Sequence, residues 1–365
     1  MRLESWRYFD YWLIGAVAIL IVFSVAMINS SIAGNPELIE NNTVQRQILF
    51  ALIGFVMIIL ITMYDYHFWS TIGRVMYVMI AFFLGLVAFG GEAAFGSARW
   101  LDVGFAVVQP SELAKITIIV VMADFFARNL DRIGEIPWVI RSGLLTMGLV
   151  GMIIIQPDLS TSITLMVIWA AMLFASGLKW KHIVLFIVVA IVIAAVAYPF
   201  LADYQKQRIN NFLFTDEEAR YGEQYNINQA LVTIGSGGWL GQGYGQGTQV
   251  QLRFLKVRVS DFIYSSIANE LGFVGTVAMM ALLFFIIYRV LYNARLARDT
   301  YGALLCYGVA TLIAFQTIIN IGMNLKMLPV TGLPLPFVSQ GGSSLLSILL
   351  GIGLVESVAA RQKIS

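Results

Sequence analysis

Long apolar runs separated by short polar segments make up most of the chain. These runs are near or above about 18 residues, the length of helix that crosses the hydrocarbon core of a bilayer. Because a backbone in lipid must satisfy its own hydrogen bonds, each run is predicted to be a helix. The pattern therefore predicts an all-α integral membrane protein with about ten transmembrane helices in a single membrane domain, residues 1-365. The predicted spans are about 10–31, 47–64, 71–89, 110–128, 141–155, 160–178, 182–200, 262–290, 300–323 and 337–359.

Composition supports this class and excludes others. The chain is 59% hydrophobic and 12% charged, whereas a soluble domain carries about 25% charged residues. The net charge of +2 comes without a basic block, so nucleic acid is not an expected partner. Cys306 is the only cysteine and cannot form an internal disulfide, and the two histidines lie far apart, which argues against a zinc site.

The distribution of Lys and Arg predicts the orientation. An even number of spans places both termini on one side, and the segments on that side carry most of the basic residues. Cytoplasmic loops are enriched in Lys and Arg, so both termini are predicted to be cytoplasmic. The outer face then comprises 90–110, 156–159, 201–261 and 324–336, of which 201–261 is a large extracytoplasmic loop. Loops of that length are usually functional or disordered.

Two charged motifs lie near the start of the fourth span, one before it and one in its first turns. Arg99 lies beside Trp100, and it is either an interfacial anchor or a phosphate clamp. Gln109 precedes the span and Pro110 begins it, and Glu112 and Lys115 lie three residues apart on one helical face. Ionisable groups inside a span face a polar cavity or each other, and both interpretations remain open, with the cavity favoured.

Further polar residues lie at the ends of later spans. Asp158 is placed to cap the sixth span and could also face the outer cavity. Asp261, at the start of the eighth span, could cap the helix, act as a general base or bind a cation, with Arg258 three residues before it. Considerations of charge alone favour the helix-capping role for Asp261. Glu270 lies deeper on the opposite side of that helix, so it is predicted to hold helices together or to line a polar path.

The segment before the last span is irregular. Pro334 and Pro336 prevent a regular helix, and Gly341 and Gly342 with neighbouring serines allow close helix packing. Irregular backbone at membrane depth is tolerated only against protein or a wet cavity. This segment is therefore predicted to lie beside the same outer cavity.

Together these motifs resemble the SEDS family of cell-wall polymerases, which includes RodA and FtsW. The resemblance covers essentially the whole chain, and the string from Gln156 to Leu159 is more similar to RodA. The motifs that carry it are Gly332-Leu333-Pro334-Leu335-Pro336-Phe337-Val338-Ser339 with Gly341-Gly342-Ser343-Ser344, Gln109-Pro110-Ser111-Glu112 with Lys115, Gln156-Pro157-Asp158-Leu159, and Ser260-Asp261-Phe262-Ile263 with Glu270-Leu271-Gly272.

The resemblance implies a peptidoglycan glycosyltransferase that polymerises lipid II with inversion, for cell elongation and rod shape. Asp261 matches the essential aspartate of the family and is expected to be the catalytic general base. Departures from the family are Val259-Ser260 where His-Thr is common, Asn269 where a glutamate is common, and Gln340 where a tyrosine is common.

The remaining expectations follow from the same resemblance. The expected partners are lipid II, membrane lipids and a class B penicillin-binding protein that performs transpeptidation, in the bacterial inner membrane. A divalent cation, Mg or Mn, is a possible cofactor, with Asp261 as a possible ligand. The candidate substrate-binding residues are Arg99, Gln109, Glu112, Lys115, Asp158, Arg258, Ser339 and Ser343, and the candidate structural or cavity residues are Glu270, Pro334, Pro336, Gly341 and Gly342.

Two alternatives belong to other functional classes. A flippase or transporter for a lipid-linked precursor would also use ten spans with intramembrane charges. It would need polar residues that continue to the cytoplasmic side, where Asp124 and Glu356 are the only acidic indications. A membrane scaffold for a penicillin-binding protein would need no catalytic group at all.

Overall fold

The computed structural model describes residues 8–32, 42–90, 101–102, 107–132, 135–178, 203–214, 222–255 and 258–362, with the single positions 184, 188 and 199. Most of these residues are helical. The α-helices are α1 (Tyr11–Ile32), α2 (Thr43–Met63), α3 (His67–Gly90), α4 (Pro110–Arg128), α5 (Ile136–Ile155), α6 (Leu159–Ala175), α7 (Asp203–Leu213), α8 (Gly222–Gly237), α9 (Thr248–Gln251), α10 (Ile263–Leu296), α11 (Thr300–Asn324) and α12 (Gly342–Ala359). A short antiparallel pair, β1 (Leu101–Asp102) and β2 (Val107–Val108), precedes α4.

The helices have the length and composition of membrane spans. Among the described residues, α1, α2, α3, α5, α10, α11 and α12 are long and apolar enough to cross a bilayer. Two further helices at predicted spans are less typical, since α6 is shorter and α4 carries four ionisable residues. Large apolar side chains on α3, such as Val75, Val78 and Phe82, are exposed on the outside of the bundle, as expected for a surface that faces lipid. The prediction of an all-α integral membrane protein is confirmed. The predicted span at 182–200 lies outside the described residues, apart from three single positions.

The centre of the bundle is formed by α12, which packs against α2, α4, α10 and α11. The start of α1 and the end of α12 meet at one end of this bundle. The backbone N–H of Asp10 donates to Glu356 Oε2 at 3.0 Å, and Arg289 pairs with Asp10 at 2.8 Å. The start of α1 and the end of α12 therefore lie on the same side, as an even number of spans requires.

Helix α10 is bent near its first third. Gly272 has φ 67° and ψ −165°, which are not helical values, and φ in this region favours glycine. A Cβ on Gly272 would lie 2.3 Å from the backbone nitrogen of Gly241, so the glycine-rich segment 238–247 packs directly against the bend. The sequence predicts a single long span at 262–290, and the close contact between Gly272 and the backbone of Gly241 explains why the helix is bent.

Two boundaries differ from the predictions. The last helix begins at Gly342, because Phe337 lies in the left-handed region at φ 63° and residues 337–341 remain irregular. The predicted loop 201–261 contains the helices α7, α8 and α9 in its described part. Of these, α8 packs against α10.

Candidate functional site

Asp261 lies in a turn of residues 258–262, hereafter the aspartate turn, directly before α10. Its main-chain carbonyl accepts hydrogen bonds from Nδ2 of Asn320 at 3.2 Å and from Nδ2 of Asn324 at 2.9 Å. The residue at the N-cap position of α10 is Phe262, so Asp261, the predicted cap, lies one residue before the cap position. Two amides of α11 therefore fix the backbone of Asp261, while its side chain remains only partly buried.

Residues 329–341, hereafter the proline segment, are joined to the aspartate turn. Ser339 Oγ donates to the carbonyl of Ser260 at 2.7 Å and accepts from the N–H of Leu335 at 2.9 Å. The N–H of Gln340 donates to the carbonyl of Val259 at 2.9 Å. These bonds join the proline segment to the aspartate turn, although about 80 residues separate the two in the chain.

Gly332, in the proline segment, lies beside the carboxylate of Asp261. A Cβ built on Gly332 would lie 4.0 Å from Asp261 Oδ2 and would meet no other described atom within 4 Å. Gly332 is exposed and has φ 72°, a conformation that L side chains rarely adopt. The carboxylate is thus approachable from the side of Gly332. In the same segment Pro334 is half-buried and Pro336 is buried.

The starts of α4, α6 and α12 meet close to the proline segment. The N–H of Gln109 donates to Ser343 Oγ at 3.2 Å, and Gln109 Nε2 donates to Asp158 Oδ2 at 3.2 Å. Asp158 caps α6 by accepting from the N–H of Thr161 at 3.1 Å, as predicted. Helix N-termini carry partial positive charge, so three of them at one place favour an anionic group nearby.

Glu112 and Lys115 form a buried ion pair one turn into α4. Lys115 Nζ lies 2.7 Å from Glu112 Oε2, and the side chains are 0% and 6% exposed. Ser347 Oγ on α12 donates to the carbonyl of Glu112 at 2.7 Å. The two residues are therefore paired with each other in the described structure. Whether they also face a substrate cavity stays a prediction.

Arg258 connects the aspartate turn to the end of α1. Its Nε donates to the carbonyl of Ser31, and the residue is 2% exposed. Nη2 of Arg258 has no hydrogen-bond partner among the described residues. Burial, with a contribution from the charge of Arg253, lowers the pKa of Arg258 from its ordinary value, but a guanidinium remains protonated in proteins. A buried charged group with an unused donor is suited to binding an oxygen anion.

Glu270 has a separate position, on α10 against the glycine-rich segment. Ser30 Oγ lies 2.6 and 2.7 Å from its two carboxylate oxygens, and the N–H of Gly245 donates to Oε2 at 3.2 Å. Glu270 is fully buried. It joins α1 and the glycine-rich segment to α10, which agrees with the first of its two predicted roles.

The two small residues at the start of α12 allow close packing against α2. A Cβ on Gly342 would lie 2.4 Å from Cε2 of Phe50, so only glycine fits there. Gly341 precedes it in a non-helical conformation. Three residues separate Ser339, bound to the aspartate turn, from Ser343, bound to Gln109, so the two parts of the candidate site are continuous.

Some residues of this site were not singled out by the sequence, and one predicted residue cannot be placed. Asn320 and Asn324 were missed, although amides four residues apart inside an apolar span are a signal of buried polar contacts. Arg99 lies outside the described residues. No group of three or more His, Cys, Asp or Glu side chains that could hold a metal occurs in the part of the chain that the structure describes.

Comparisons with known proteins agree with this architecture. Residues 9–364 match the family model for FtsW, RodA and SpoVE, described as cell cycle protein. The chain is 35% identical to the peptidoglycan glycosyltransferase MrdB of Escherichia coli K12, over 94% of this chain and 91% of that protein. It is 33% identical to the probable peptidoglycan glycosyltransferase FtsW of Hydrogenovibrio crunogenus, over 97% and 94%.

Solved structures are similar over almost the full length. A chain of a peptidoglycan synthase complex that coordinates polymerization and crosslinking is 26% identical, with a TM-score of 0.84, over 98% of this chain and 99% of that chain. The rod shape determining protein RodA of Thermus thermophilus is 26% identical, with a TM-score of 0.72, over 98% of each chain. With the helical bundle and its aspartate turn, these matches show that the chain belongs to the FtsW/RodA/SpoVE family, the SEDS family that its motifs resemble.

Proposed function

We propose that this chain is a peptidoglycan glycosyltransferase that polymerises lipid II into glycan strands for cell elongation. The observation that carries the proposal is the half-buried carboxylate of Asp261, on a backbone fixed by two amides of α11 and open beside Gly332. Family membership supports the reaction class, since relatives at 33% and 35% identity are named for this activity. Because this chain is similar to proteins of both the RodA and the FtsW type, the similarity supports polymerisation more directly than a role in elongation.

Asp261 is the proposed general base. Its carboxylate accepts the proton of the 4-hydroxyl of the acceptor GlcNAc, and the oxygen attacks the anomeric carbon of the donor. The new C–O bond forms as the bond to the lipid pyrophosphate breaks, and the pyrophosphate leaves with the electron pair, so the configuration inverts. A base aligned with the attacking hydroxyl contributes about 10²–10⁴ in rate.

Cationic residues and helix N-termini would stabilise the leaving pyrophosphate. Arg258 offers a buried, unused donor, and Lys115 lies one turn below the joined starts of three helices. Arg99, Gln109, Glu112, Asp158, Ser339 and Ser343 complete the proposed substrate-binding set. A divalent cation, Mg or Mn, would be held by Asp261 and would neutralise charge on the leaving pyrophosphate, because Mg²⁺ is commonly held by one or two carboxylates plus substrate phosphates.

The proposed setting is the bacterial inner membrane, with both termini in the cytoplasm and Asp261 on the outside. The excess of Lys and Arg in the segments on the side of the termini supports this orientation. A class B penicillin-binding protein is the proposed partner, because a similar chain belongs to a complex that coordinates polymerization and crosslinking.

The test is polymerisation of lipid II by the purified protein with its penicillin-binding partner, in the presence of a transpeptidase inhibitor. The wild-type protein is expected to produce glycan strands, and Asp261→Asn is expected to lose at least about 10²-fold in rate. Asp131→Asn, at an exposed position outside the helical spans, serves as a matched control. Wild-type rates for Asp261→Asn would contradict the base assignment.

The same assay separates the alternatives. If the chain were a scaffold, Asp261→Asn would leave polymerisation at the wild-type rate, because the residue would take no part in the chemistry. A flippase would yield no polymer from lipid II but would move the lipid across a vesicle bilayer.

A further inference from the structure

One helix carries a ladder of three buried amides. Gln316, Asn320 and Asn324 follow each other at four-residue intervals on α11, so they lie on one side of the helix, and all three are fully buried. Asn320 and Asn324 donate to the carbonyl of Asp261. Neither Nε2 nor Oε1 of Gln316 has a hydrogen-bond partner among the described residues. A buried amide without partners calls for a bound water or ion.

The depth of Gln316 follows from the contacts between α11 and α4. A Cβ on Gly308 of α11 would lie 2.7 Å from Cγ2 of Ile119 of α4, so these residues are at one level. The two helices are antiparallel, because the end of α11 and the start of α4 both adjoin the proline segment. Eight residues from Gly308 lead to Gln316, and eight from Ile119 lead back to Ser111, each about 12 Å at 1.5 Å per residue.

The same level holds the ion pair of α4. Long side chains on a helix lean toward its N-terminus, which places Lys115 Nζ near residues 111–112, in keeping with its 2.7 Å contact to Glu112. Ser111 is 1% exposed, and its Oγ also lacks a partner in the described part of the chain. An ammonium has three N–H donors, and Glu112 accounts for one direction only. By the same rule the amide of Gln316 leans toward the N-terminus of α11. The three side chains with unused hydrogen-bonding capacity therefore lie within about one helical turn of the same depth.

We infer that Gln316 is a positioning residue that acts through ordered water on the ammonium of Lys115, an inference that rests on the proposed function. Buried water typically makes about three hydrogen bonds to otherwise unsatisfied polar groups. Here the water accepts from Lys115 and bonds to Gln316 and Ser111. The Glu112–Lys115 pair is neutral overall, which favours water over an ion at this place.

This water site would connect the two charged parts of the proposed active site. Asn320 and Asn324 hold the carbonyl of Asp261 from the outer two steps of the ladder, and Gln316 reaches Lys115 from the inner step. Helix α11 would therefore be joined to the aspartate turn at the outer level and to α4 at the inner level. Loss of the inner contact would let the ammonium and the carboxylate shift relative to each other without removing either.

The first test is a double-mutant cycle on the thermal unfolding midpoint of the purified protein. Gln316→Leu keeps the volume but removes the water partner, so it is expected to lower the midpoint. In a Lys115→Met background the same change is expected to have little effect or to raise the midpoint, because both partners are then apolar. Thr317→Val is the matched control, since its buried hydroxyl bonds within α11 to the carbonyl of Ile313 at 2.8 Å.

The second test is lipid II polymerisation. Gln316→Leu is expected to lower kcat by about 10- to 100-fold, as for a misplacement of reacting groups, with KM nearly unchanged. Gln316→Asn keeps an amide and leaves room for water, so its kcat is expected to be much closer to that of the wild type than the kcat of Gln316→Leu. Thr317→Val is expected to retain the wild-type kcat.

The outcomes are separable. Additive effects of Gln316→Leu and Lys115→Met on the midpoint, or equal kcat for Gln316→Leu and Thr317→Val, would overturn the inference. An absence of polymerisation by the wild-type protein would instead refute the proposed function, and the midpoint cycle would still decide whether Gln316 and Lys115 are coupled.

Discussion

Asn324 Nδ2 donates a 2.9 Å hydrogen bond to the main-chain carbonyl of Asp261, 63 residues earlier in the chain. Asn324 Oδ1 also accepts from Ser265 Oγ at 2.6 Å, so one amide joins the aspartate turn, the start of α10 and the end of α11. The proposed base is therefore held through its backbone by a helix that contributes no reacting group.

Replacement of Asn324 is expected to lower activity more than replacement of an asparagine far from Asp261. Asn324→Ala leaves the carbonyl of Asp261 with Asn320 and removes the acceptor of Ser265. We expect stability to fall by about 1–3 kcal/mol and polymerisation by about 10- to 100-fold. Both are measured on the purified complex, by thermal unfolding and by glycan synthesis.

The control is Asn129→Ala at the other end of the bundle, where Nδ2 bonds to the carbonyl of Phe125 at 2.7 Å. Its polymerisation rate should stay at the wild-type level. If Asn324→Ala polymerises as fast as Asn129→Ala, the turn does not depend on this amide.

Gly332 should not tolerate a side chain. Gly332→Ala forces a methyl-bearing residue to φ 72°, which costs about 1 kcal/mol, and places the methyl beside the carboxylate of Asp261. We expect reduced kcat for lipid II. In contrast, Gly15→Ala lies in α1 with no atom within 4 Å of the added Cβ. It should leave activity unchanged and raise stability by up to about 1 kcal/mol. Equal kcat for the two variants would show that the approach to Asp261 is not through Gly332.

Ser30 should control the order of the glycine-rich segment. Ser30→Ala removes the hydroxyl that bonds to Glu270 at 2.6 Å, so a buried carboxylate loses one of its partners at a cost of about 1–3 kcal/mol. Hydrogen exchange at residues 238–247 should become faster. Ser176→Ala changes the C-cap residue of α6, whose hydroxyl bonds to the carbonyl of Leu173 at 2.7 Å. It should leave exchange at residues 238–247 unchanged. Unaltered exchange in Ser30→Ala would mean that the segment is held without the hydrogen bond between Ser30 and Glu270.

Asp65 should contribute an acid-sensitive element of stability at the end of the bundle that holds both termini. Burial alone would raise the pKa of Asp65, but hydrogen bonds from His67 and the charge of Arg361 outweigh it and lower the pKa below its ordinary 3.8. A lowered pKa in the folded state means that the contribution is fully present above the ordinary value. It is then lost as the pH falls through the folded-state pKa.

Thermal unfolding between about pH 7 and pH 3 measures this contribution. Asp65→Asn should unfold at a lower temperature than the wild type at pH 7, and the gap should narrow below about pH 4. A gap that stays constant to pH 3 would show that the charge of Asp65 does not stabilise the fold.

The sequence determined the membrane class, the positions of most helices and the cap at Asp158, and it placed Glu112 and Lys115 where they can pair. These features depend on the length of apolar runs and on contacts between residues three or four apart, which a linear pattern contains. It also marked Asp261, through a motif whose family is now established.

Only the tertiary structure decided how those pieces are held. The amides that fix Asp261 come from residues 59 and 63 positions away, and the hydroxyl that binds Glu270 comes from 240 positions away. The bend at Gly272 arises from contact with the backbone of Gly241. Such partners are set by how helices pack, and helical periodicity in one stretch of chain holds no information about which distant stretch will face it.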